Sequence, residues 1–377
     1  MPRNVLYLHH VAQMSGAEHS LQLLMRALDR TRVAPVFAGP ASGPFPMALA
    51  GEGIPLVPVA FGPLRNVPGL VRNVIALRRV VRARKIALLH ANGPQTNVCA
   101  GLAGRLARVP VIWHARNLLY AGMRDVDRLT APLATRIICN SDAVRERFRG
   151  SRAWEKSVTI LNAVDLQRFN PAVPREPFRR EQGLAPSETA VGLVGRIGYK
   201  KGGEEFVAAA TRLLRAGSQA AFFVVGDAVF PEDAWRLDRL RKEVKEAALE
   251  GRIRFLGRRE DIPSVMRGLD ILVQASELEA CSRALCEGMA SGTAIVATAS
   301  GGNPELVRDG IEAVLVPPGD AEALASGIDR LVRDPALRER LGTTAAVRAR
   351  ERLTAEGYVA AIMAVYESAW ESTMRRA

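Results

Sequence analysis

The chain has 377 residues, of which 48% are hydrophobic and 24% are charged. That length and composition suit two globular domains, each with a buried core, and exclude a short binding module, long disorder, collagen and coiled coil. The net charge of +13 favours an anionic partner, whether a membrane surface, a nucleic acid or a phosphorylated ligand.

The positive charge is concentrated in the first half of the chain. Residues 1–170 contain 23 Lys and Arg against 9 Asp and Glu, whereas residues 171–377 contain 29 against 30. The surplus of 14 in the first half predicts that the anionic partner binds there.

The cysteines and the N-terminus bear on the cellular compartment. No C-x-x-C pair is present, so Cys99, Cys139, Cys281 and Cys286 are interpreted as reduced apolar residues. The apolar run 5–8 is too short for a signal peptide, and no run approaches the ~20 residues that span a bilayer. We predict a cytoplasmic protein, with peripheral contact at the inner face of the membrane left open.

Short apolar runs alternate with helical patterns along the whole chain, which is typical of parallel strands connected by crossover helices. The predicted strands are 5–8, 33–37, 56–59, 87–91, 111–114, 136–140, 158–161, 190–195, 220–225, 252–256, 270–274, 294–297 and 313–316. The predicted helices of the first half are 17–28, 67–84, 95–106 and 142–149. The pattern therefore predicts an α/β protein with two doubly wound sheets.

We expect a first domain at 1–170, a Pro-rich linker at 171–188, a second domain at 189–353 and a C-terminal helix at 354–377 that packs back across the domains. Tyr358, Ile362, Val365, Tyr366 and Trp370 give that helix one apolar face. Open α/β sheets bind ligands at the carboxyl ends of their strands, so we expect the chemistry in strand-to-helix loops facing a cleft between the domains.

Two loops of the first domain carry candidate ligand contacts. Gly16 opens the helix after the first strand, where a residue without Cβ lets an anion approach backbone N–H groups; the alternative is a glycine that serves the turn alone. His114 stands near the end of the fifth strand and has the chemistry to donate to a ligand hydroxyl; the alternative is a structural histidine.

The second domain opens with a glycine-rich turn, from Gly195 to Gly203, that contains Arg196 and Lys201. A planar guanidinium together with a mobile ammonium suits the two phosphates of a diphosphate. The turn lacks the P-loop pattern, and a solvated charged loop is the alternative.

Two carboxylates flank the start of a predicted helix that runs from Ser282 to near Gly292. Glu279 precedes the helix and Glu287 lies inside it, a spacing that lets both point toward one ligand, and carboxylates accept two hydrogen bonds from a vicinal diol. The helix start offers free N–H groups to a phosphate. The alternative is an acidic pair on a solvated helix start.

The order of these motifs resembles the family 4, or group 1, glycosyltransferases. The resemblance is carried by six segments: 15–18 (SGAE), 162–165 (NAVD) with Phe169, 195–202 (GRIGYKKG), 225–227 (VGD), the Glu279/Glu287 pair, and 301–305 (GGNPE). It covers nearly the whole chain and implies the GT-B architecture of two facing Rossmann-like domains.

The resemblance implies a retaining, metal-independent transfer of a sugar from a nucleotide-diphosphate donor, with UDP or GDP expected, to a glycan or lipid-linked acceptor. No cofactor is implied. Arg196 and Lys201 would hold the diphosphate, Glu279 the donor sugar, Glu287 the ribose, and Gly16 the phosphate. His114 would contact the sugar. The resemblance also implies that further residues bind the donor, namely Gly195, Ser282, Arg283, Ala284 and Leu285.

Three positions depart from the family pattern. Residues 279–282 read Glu-Ala-Cys-Ser where Glu-Gly-Phe-Gly is common, which alters the sugar pocket, and Asn162-Ala163 replaces Asn-Gly. Gly288 replaces Ala inside a helix at a cost of roughly 1 kcal/mol, so we expect tight packing there.

The segment from Arg65 to Lys85 contains seven cations and no acid, and its apolar residues recur at helical spacing. Such a helix suits an anionic membrane surface. A crossover helix packed on its sheet is the alternative, since it has the same stripe.

The sequence also allows other classes of function. A nucleotide-sugar epimerase would use the same fold, a sugar-nucleotide-binding scaffold would keep the site without turnover, and the charge alone suggests a nucleic-acid or other anionic-surface binder. Because aromatic residues are sparse and no nucleic-acid module is recognised, we expect no nucleic-acid partner.

Overall fold

The computed structural model describes residues 1–120 and 122–374, and the chain divides into two compact units. The first unit joins residues 1–163 to the C-terminal segment that begins at Ala355, and the second contains residues 164–354. The chain therefore passes from one unit to the other twice.

The described part of the first unit contains a seven-stranded parallel sheet with the order β3-β2-β1-β4-β5-β6-β7. Its strands are β1 Arg3–Leu8, β2 Val33–Gly39, β3 Leu56–Pro58, β4 Ile86–Asn92, β5 Val111–Ala115, β6 Arg136–Cys139 and β7 Ser157–Thr159. Each predicted strand of the first half is present, with ends shifted by one or two residues. The central strands are largely apolar because both of their faces are buried.

Seven helices precede the second unit in the described chain: α1 Gly16–Ala27, α2 Pro44–Gly51, α3 Val67–Ala83, α4 Pro94–Ala107, α5 Val126–Thr130, α6 Asp142–Arg145 and α7 Arg152–Lys156. The predicted helix at 142–149 ends earlier and continues as a 3-10 turn over Glu146–Phe148. Helix α2 was not predicted, because its residues are nearly all apolar and lack a helical period.

The predicted apolar stripe of helix α3 is not buried in the first two turns of the helix. Val74, Leu77 and Val81 are buried, whereas Val67 and Val71 are exposed. The first half of α3 therefore presents apolar side chains to solvent.

The described part of the second unit contains six parallel strands in the order β10-β9-β8-β11-β12-β13. They are β8 Ala190–Val194, β9 Ala221–Val225, β10 Ile253–Gly257, β11 Ile271–Gln274, β12 Ala294–Thr298 and β13 Val314–Val316. Counted from its own first strand, this sheet has the Rossmann order 3-2-1-4-5-6, whose direction reverses between β8 and β11. Ligands bind outside the carboxyl ends of the strands at such a reversal.

The helices of this unit are α8 Glu176–Glu181, α9 Gly203–Arg215, α10 Ala234–Glu246, α11 Ile262–Gly268, α12 Arg283–Ser291, α13 Asn303–Leu306, α14 Ala321–Arg333 and α15 Pro335–Arg352. Helix α12 occupies the position predicted between Ser282 and Gly292, and Gly292 ends it at a φ of +70°. A Cβ on Gly288 would lie 2.3 Å from Leu272 Cδ2, so the tight packing expected at this glycine is present.

Residues 171–188, expected as a linker, lie inside the second unit. They contain α8, which has Pro177 in its first turn and whose Phe178 is fully buried against the Phe223 ring at 5.5 Å. The prolines therefore begin a helix and shape turns, and the division between units falls earlier, between Ala163 and Val164.

The last helix, α16 Ala355–Met374, belongs to the core of the first unit. Tyr358, Ile362, Tyr366 and Trp370 are buried as its pattern predicts, and Val365 is half-buried. Trp370 Nε1 donates to the Ala87 carbonyl at 3.0 Å. Residues 375–377 of the predicted C-terminal segment lie outside the described residues.

In the described residues, no helix combines the length and the apolar character that crossing a bilayer requires. The four cysteines are free and buried, as their sequence pattern predicts.

Candidate functional site

The candidate site of the second unit is built on the loops that follow β8, β9 and β11. Gly195 ends β8 with a φ of +148°, and a Cβ on Gly226 would lie 1.9 Å from the Gly195 carbonyl oxygen. Ile197 N donates to the Asp227 carbonyl at 3.0 Å. Two glycines therefore allow the β8 and β9 loops to lie against each other, which explains the Val225-Gly226-Asp227 motif.

The β8 loop also packs against the end of β11. Gly202 has a φ of +79°, and a Cβ there would lie 2.2 Å from the Ala275 carbonyl oxygen. Glu277 N donates to the Lys200 carbonyl at 3.1 Å, and Lys200 Nζ lies 2.7 Å from Glu277 Oε2. Backbone and side chains thus join the two loops at the point where the sheet reverses direction.

Lys201 and Glu279 form an ion pair at this junction. Lys201 Nζ donates to Glu279 Oε2 at 2.9 Å, and the same oxygen accepts from Gln274 Nε2 and Ser276 Oγ, each at 3.3 Å. The Glu279 side chain is only 15% exposed and that of Lys201 26%. Three donors fix the carboxylate in place, and it retains lone pairs for a hydroxyl.

Helix α12 begins beside this pair in the chain. Ser282 is its N-cap, and the Ser282 Oγ accepts from Leu285 N at 3.2 Å. The amides of Arg283 and Ala284, in the first turn, have no acceptor within the helix. The helix start therefore offers backbone donors and a positive dipole end to an anion.

Glu287 is held by a residue of the same helix. Its Oε1 accepts from Arg283 Nε at 2.5 Å, and its side chain is 7% exposed. The predicted ribose contact is thus a nearly buried carboxylate paired with a neighbouring guanidinium.

Arg196 contacts an acid and an aromatic ring that are not among the predicted site residues. Its Nη1 donates to Asp233 Oδ2 at 3.1 Å, and its guanidinium carbon lies 4.8 Å from the centre of the Phe230 ring. The structure therefore brings Lys201 to Glu279 and Arg283 to Glu287, and pairs Arg196 with an acid that sequence reasoning missed.

In the first unit, Gly16 is the exposed first residue of α1, and a Cβ there would meet nothing within 4 Å. The same turn holds Glu18, whose carboxylate accepts from Ser15 N at 3.0 Å and lies 2.5 Å from His9 Nε2. Burial raises the pKa of the Glu18 carboxyl, but the hydrogen bond and charge of His9 outweigh it and hold the pKa below its ordinary value. The loop that presents Gly16 is thereby fixed.

His114 lies in β5 and is fully buried. Its Nδ1 accepts from Arg116 Nη2 at 3.1 Å, and His90 Nε2 lies 3.2 Å from the same atom. Burial and the Arg116 charge hold the pKa of His114 well below its ordinary value. Because Arg116 donates to Nδ1, the ring proton is on Nε2, which has no hydrogen-bond partner among the described residues.

Two residues of the second-unit site, Gln274 and Asp233, were not found from the sequence. Gln274 ends β11, and its Oε1 accepts from Asn303 Nδ2 at 2.8 Å, which connects Glu279 to the 301–305 motif. A polar side chain at the carboxyl end of an apolar strand is the signal for Gln274. Asp233 carries no such signal, since it lies in an irregular loop region seven residues after Gly226.

Among the described residues, no group of three or more His, Cys, Asp and Glu side chains is arranged to hold a metal ion.

Both halves of the chain match known families. Residues 14–168 match the model of Glycosyltransferase Family 4, and residues 174–348 match that of Glycosyl transferases group 1. The lipopolysaccharide core biosynthesis mannosyltransferase LpcC of Rhizobium leguminosarum bv. viciae is 31% identical over 84% of this chain and 88% of its own. The 2-deoxystreptamine N-acetyl-D-glucosaminyltransferase of Streptomyces fradiae is 37% identical over 72% of this chain and 68% of its own.

Among solved structures, the chain is similar to Anabaena HepE in complex with UDP-glucose, with a TM-score of 0.84 and 26% identity over 97% of this chain and 99% of that one. The predicted α/β class with two Rossmann-like domains of the GT-B type is confirmed by the two parallel sheets and these neighbours. The chain belongs to the group 1 glycosyltransferases of family 4.

Proposed function

We propose that this glycosyltransferase moves a sugar from a nucleotide-diphosphate donor to a glycan or lipid-linked acceptor, in the assembly of a polysaccharide or glycolipid. The observation that carries the donor assignment is the Lys201–Glu279 pair, joined to the N-terminus of α12 at the reversal point of the second sheet. A cation, backbone N–H groups and a fixed carboxylate lie together there, which suits a phosphorylated sugar.

In this proposal Lys201 and Arg196 bind the diphosphate and offset the charge that grows on it as the glycosidic bond breaks. The first-turn amides of α12, from Ser282 to Leu285, bind phosphate and sugar oxygens, and Gly195 lets the ligand approach the backbone. Glu279 accepts from sugar hydroxyls. Glu287 accepts from the ribose diol.

The first unit contributes Gly16 and His114 to the proposed reaction. The exposed turn at Gly16 leaves the first amides of α1 open to a phosphate. His114 Nε2–H is a neutral donor that lacks a protein acceptor among the described residues, so we assign it to a hydroxyl of the sugar.

The donor nucleotide is proposed as UDP or GDP. Anabaena HepE is solved with UDP-glucose, and the Rhizobium relative is a mannosyltransferase. Thermal unfolding with UDP-, GDP-, ADP- and dTDP-sugars identifies the donor, because a ligand at 100 times its Kd adds about 2.7 kcal/mol to stability. A chain that none of these compounds stabilises would contradict the proposal.

We further propose that the transfer retains the anomeric configuration and needs no metal, with the leaving diphosphate helping to deprotonate the acceptor. Proton NMR of the product formed with and without EDTA tests both points. Inversion at the anomeric carbon, or loss of turnover in EDTA that Mg²⁺ restores, would reject the corresponding part.

For the acceptor side we propose that the first half of α3 contacts an anionic membrane surface at the cytoplasmic leaflet. Val67, Val71 and Ile75 are exposed on this helix, and Arg72 and Arg79 are exposed on it as well. Exposed apolar residues among cations suit insertion between anionic headgroups, and the 14 surplus positive charges of residues 1–170 complement such a surface.

Sedimentation with vesicles of anionic and of purely zwitterionic lipid tests this contact. We expect salt-sensitive binding to the anionic vesicles only, weakened severalfold by the double substitution Val71→Ser and Ile75→Ser. Val347→Ser, an exposed apolar residue of α15, serves as the control. Equal sedimentation of the α3 variant and the unmodified chain would reject the α3 contact.

A further inference from the structure

The loop that follows β9 holds the side chain of Arg196 from two sides. Asp233 Oδ2 accepts from Arg196 Nη1 at 3.1 Å, and the Phe230 ring faces the guanidinium carbon at 4.8 Å. An Arg side chain has several rotatable bonds and a planar head with five N–H donors. A carboxylate at one edge and an aromatic ring at the face restrict that head to one orientation and leave other donors for a ligand.

The same carboxylate fixes the backbone of the Gly195–Gly203 turn. Asp233 Oδ1 accepts from Tyr199 N at 3.1 Å. A Cβ on Gly198 would lie 2.7 Å from Asp233 Oδ2 and 3.1 Å from Arg196 Nη1, so glycine permits this close approach. Asp233 therefore contacts both the side chain at the start of the turn and the backbone two residues before Lys201.

Asp233 is itself anchored. It is 5% exposed, ends the 3-10 turn Pro231–Asp233 and directly precedes α10. Arg236 Nε lies 3.5 Å from its Oδ1, and Arg236 Nη1 donates to Glu204 Oε1 at 3.1 Å on the first turn of α9. A nearly buried carboxylate with a cationic partner on each oxygen is held in one orientation. Removing either partner would leave charge uncompensated.

From these contacts we infer that Asp233 is a positioning residue for donor binding: it orients the guanidinium of Arg196 toward the diphosphate of the nucleotide sugar. The inference rests on the proposed function, since it assigns to Asp233 an effect that passes through the phosphate contact of Arg196. Asp233 needs no contact with the donor itself.

A double-mutant cycle with UDP, and with GDP in a parallel series, tests this coupling by calorimetry. We expect Arg196→Ala to weaken binding of the preferred nucleotide 10- to 100-fold and Asp233→Asn to weaken it about 5- to 10-fold. The double variant should match Arg196→Ala within about twofold, because Asp233 acts through Arg196. Asp233→Glu, which keeps the charge, should recover part of the affinity.

Asp238→Asn is the matched control, since Asp238 is an exposed acid on α10 whose nearest cation, Arg241, is 3.7 Å away. Its nucleotide affinity should equal that of the unmodified chain. Thermal unfolding without ligand accompanies each variant, and we expect the Asp233→Asn loss of affinity to exceed what any shift in Tm accounts for.

The outcomes separate the inference from the proposed function. If Arg196→Ala binds the nucleotide as the unmodified chain does, the diphosphate role of Arg196 is wrong. If Arg196→Ala weakens binding but Asp233→Asn either has no effect or multiplies the loss in the double variant, the positioning role of Asp233 is wrong while the proposed function stands.

Discussion

Lys201 Nζ donates to Glu279 Oε2 at 2.9 Å, while the preceding residue, Lys200, pairs with Glu277 at 2.7 Å. Two adjacent lysines thus pair with two acids of the loop that follows β11. Only one of the pairs has its carboxylate additionally fixed by Gln274 and Ser276. The Lys200–Glu277 pair therefore serves as an internal control for the proposed donor contact of Lys201.

We expect Lys201→Ala to lower kcat about 10²- to 10³-fold, because it removes a cation that offsets charge growing on the diphosphate. Steady-state turnover of the nucleotide sugar that stabilises the chain measures the loss. Lys200→Ala should cost less than about threefold, since half-exposed ion pairs contribute little. Equal losses in the two variants would mean that the lysines act on loop structure and not on the donor.

Glu287→Gln tests the ribose contact. The unmodified chain should bind UDP about tenfold more tightly than 2′-deoxy-UDP, because the carboxylate accepts from the ribose diol. In the variant this preference should fall to within about threefold, measured by calorimetry. Glu322→Gln, on the exposed surface of α14, should keep the full preference. An unaltered preference in Glu287→Gln would assign the ribose to another residue.

The buried histidines of the first unit predict acid sensitivity. Burial lowers the pKa of His90 to about 3 and that of His10 to about 4, from an ordinary 6.5. Between those values and pH 6.5 these histidines take up protons in the unfolded chain and not in the folded chain. Their contribution to stability therefore falls as pH decreases below 6.5 and is constant above it. At pH 5 His90 alone should cost roughly 2 kcal/mol relative to pH 7.

Thermal unfolding between pH 5 and 7.5 measures this dependence. His90→Gln should flatten the slope of stability against pH. Glu18 does not disturb this range, because a carboxyl with a lowered pKa loses its contribution only as pH falls below about 4.5. An identical slope in His90→Gln would show that His90 does not cause the acid sensitivity.

Gly288→Ala should destabilise the second unit by about 1–3 kcal/mol, because the new methyl group overlaps Leu272 in the core. Gly51→Ala is the matched control, since it places the same methyl group at the exposed end of α2 with nothing within 4 Å. Chemical denaturation should show a loss of unfolding free energy in Gly288→Ala only, with Gly51→Ala neutral or slightly stabilising. A neutral Gly288→Ala would show that the core relaxes around the methyl group.

The strands were predictable from the sequence because parallel strands buried on both faces are short, apolar and β-branched, whatever their neighbours. The glycine-rich turn from Gly195 to Gly203 was likewise predictable as a strand-to-helix loop, and the positive φ values of Gly195 and Gly202 explain why glycine stands there. The position of Glu279 before a helix start and of Glu287 inside that helix was also predictable, and their donor contacts stay predictions.

The partners of the charged residues were not predictable. Asp233 lies 37 residues after Arg196 in a loop without periodicity, and only the pairing of β8 with β9 brings the two together. The prolines of 171–188 suggested a linker for a related reason. A proline in the first turn of a helix, such as Pro177 in α8, gives the same sequence signal as a proline in a linker. Only the burial of Phe178 distinguishes the two cases.

Helix α16 has a consequence for synthesis of the protein. The second unit is contiguous in the chain, whereas the first needs Tyr366 and Trp370, whose side chains bond Tyr7 and the Ala87 carbonyl. A nascent chain on the ribosome therefore completes the second unit before the first, which reverses the usual N-terminal-first order. Until α16 emerges, the first unit lacks the core side chains that this helix supplies, among them Ile362 and Tyr366.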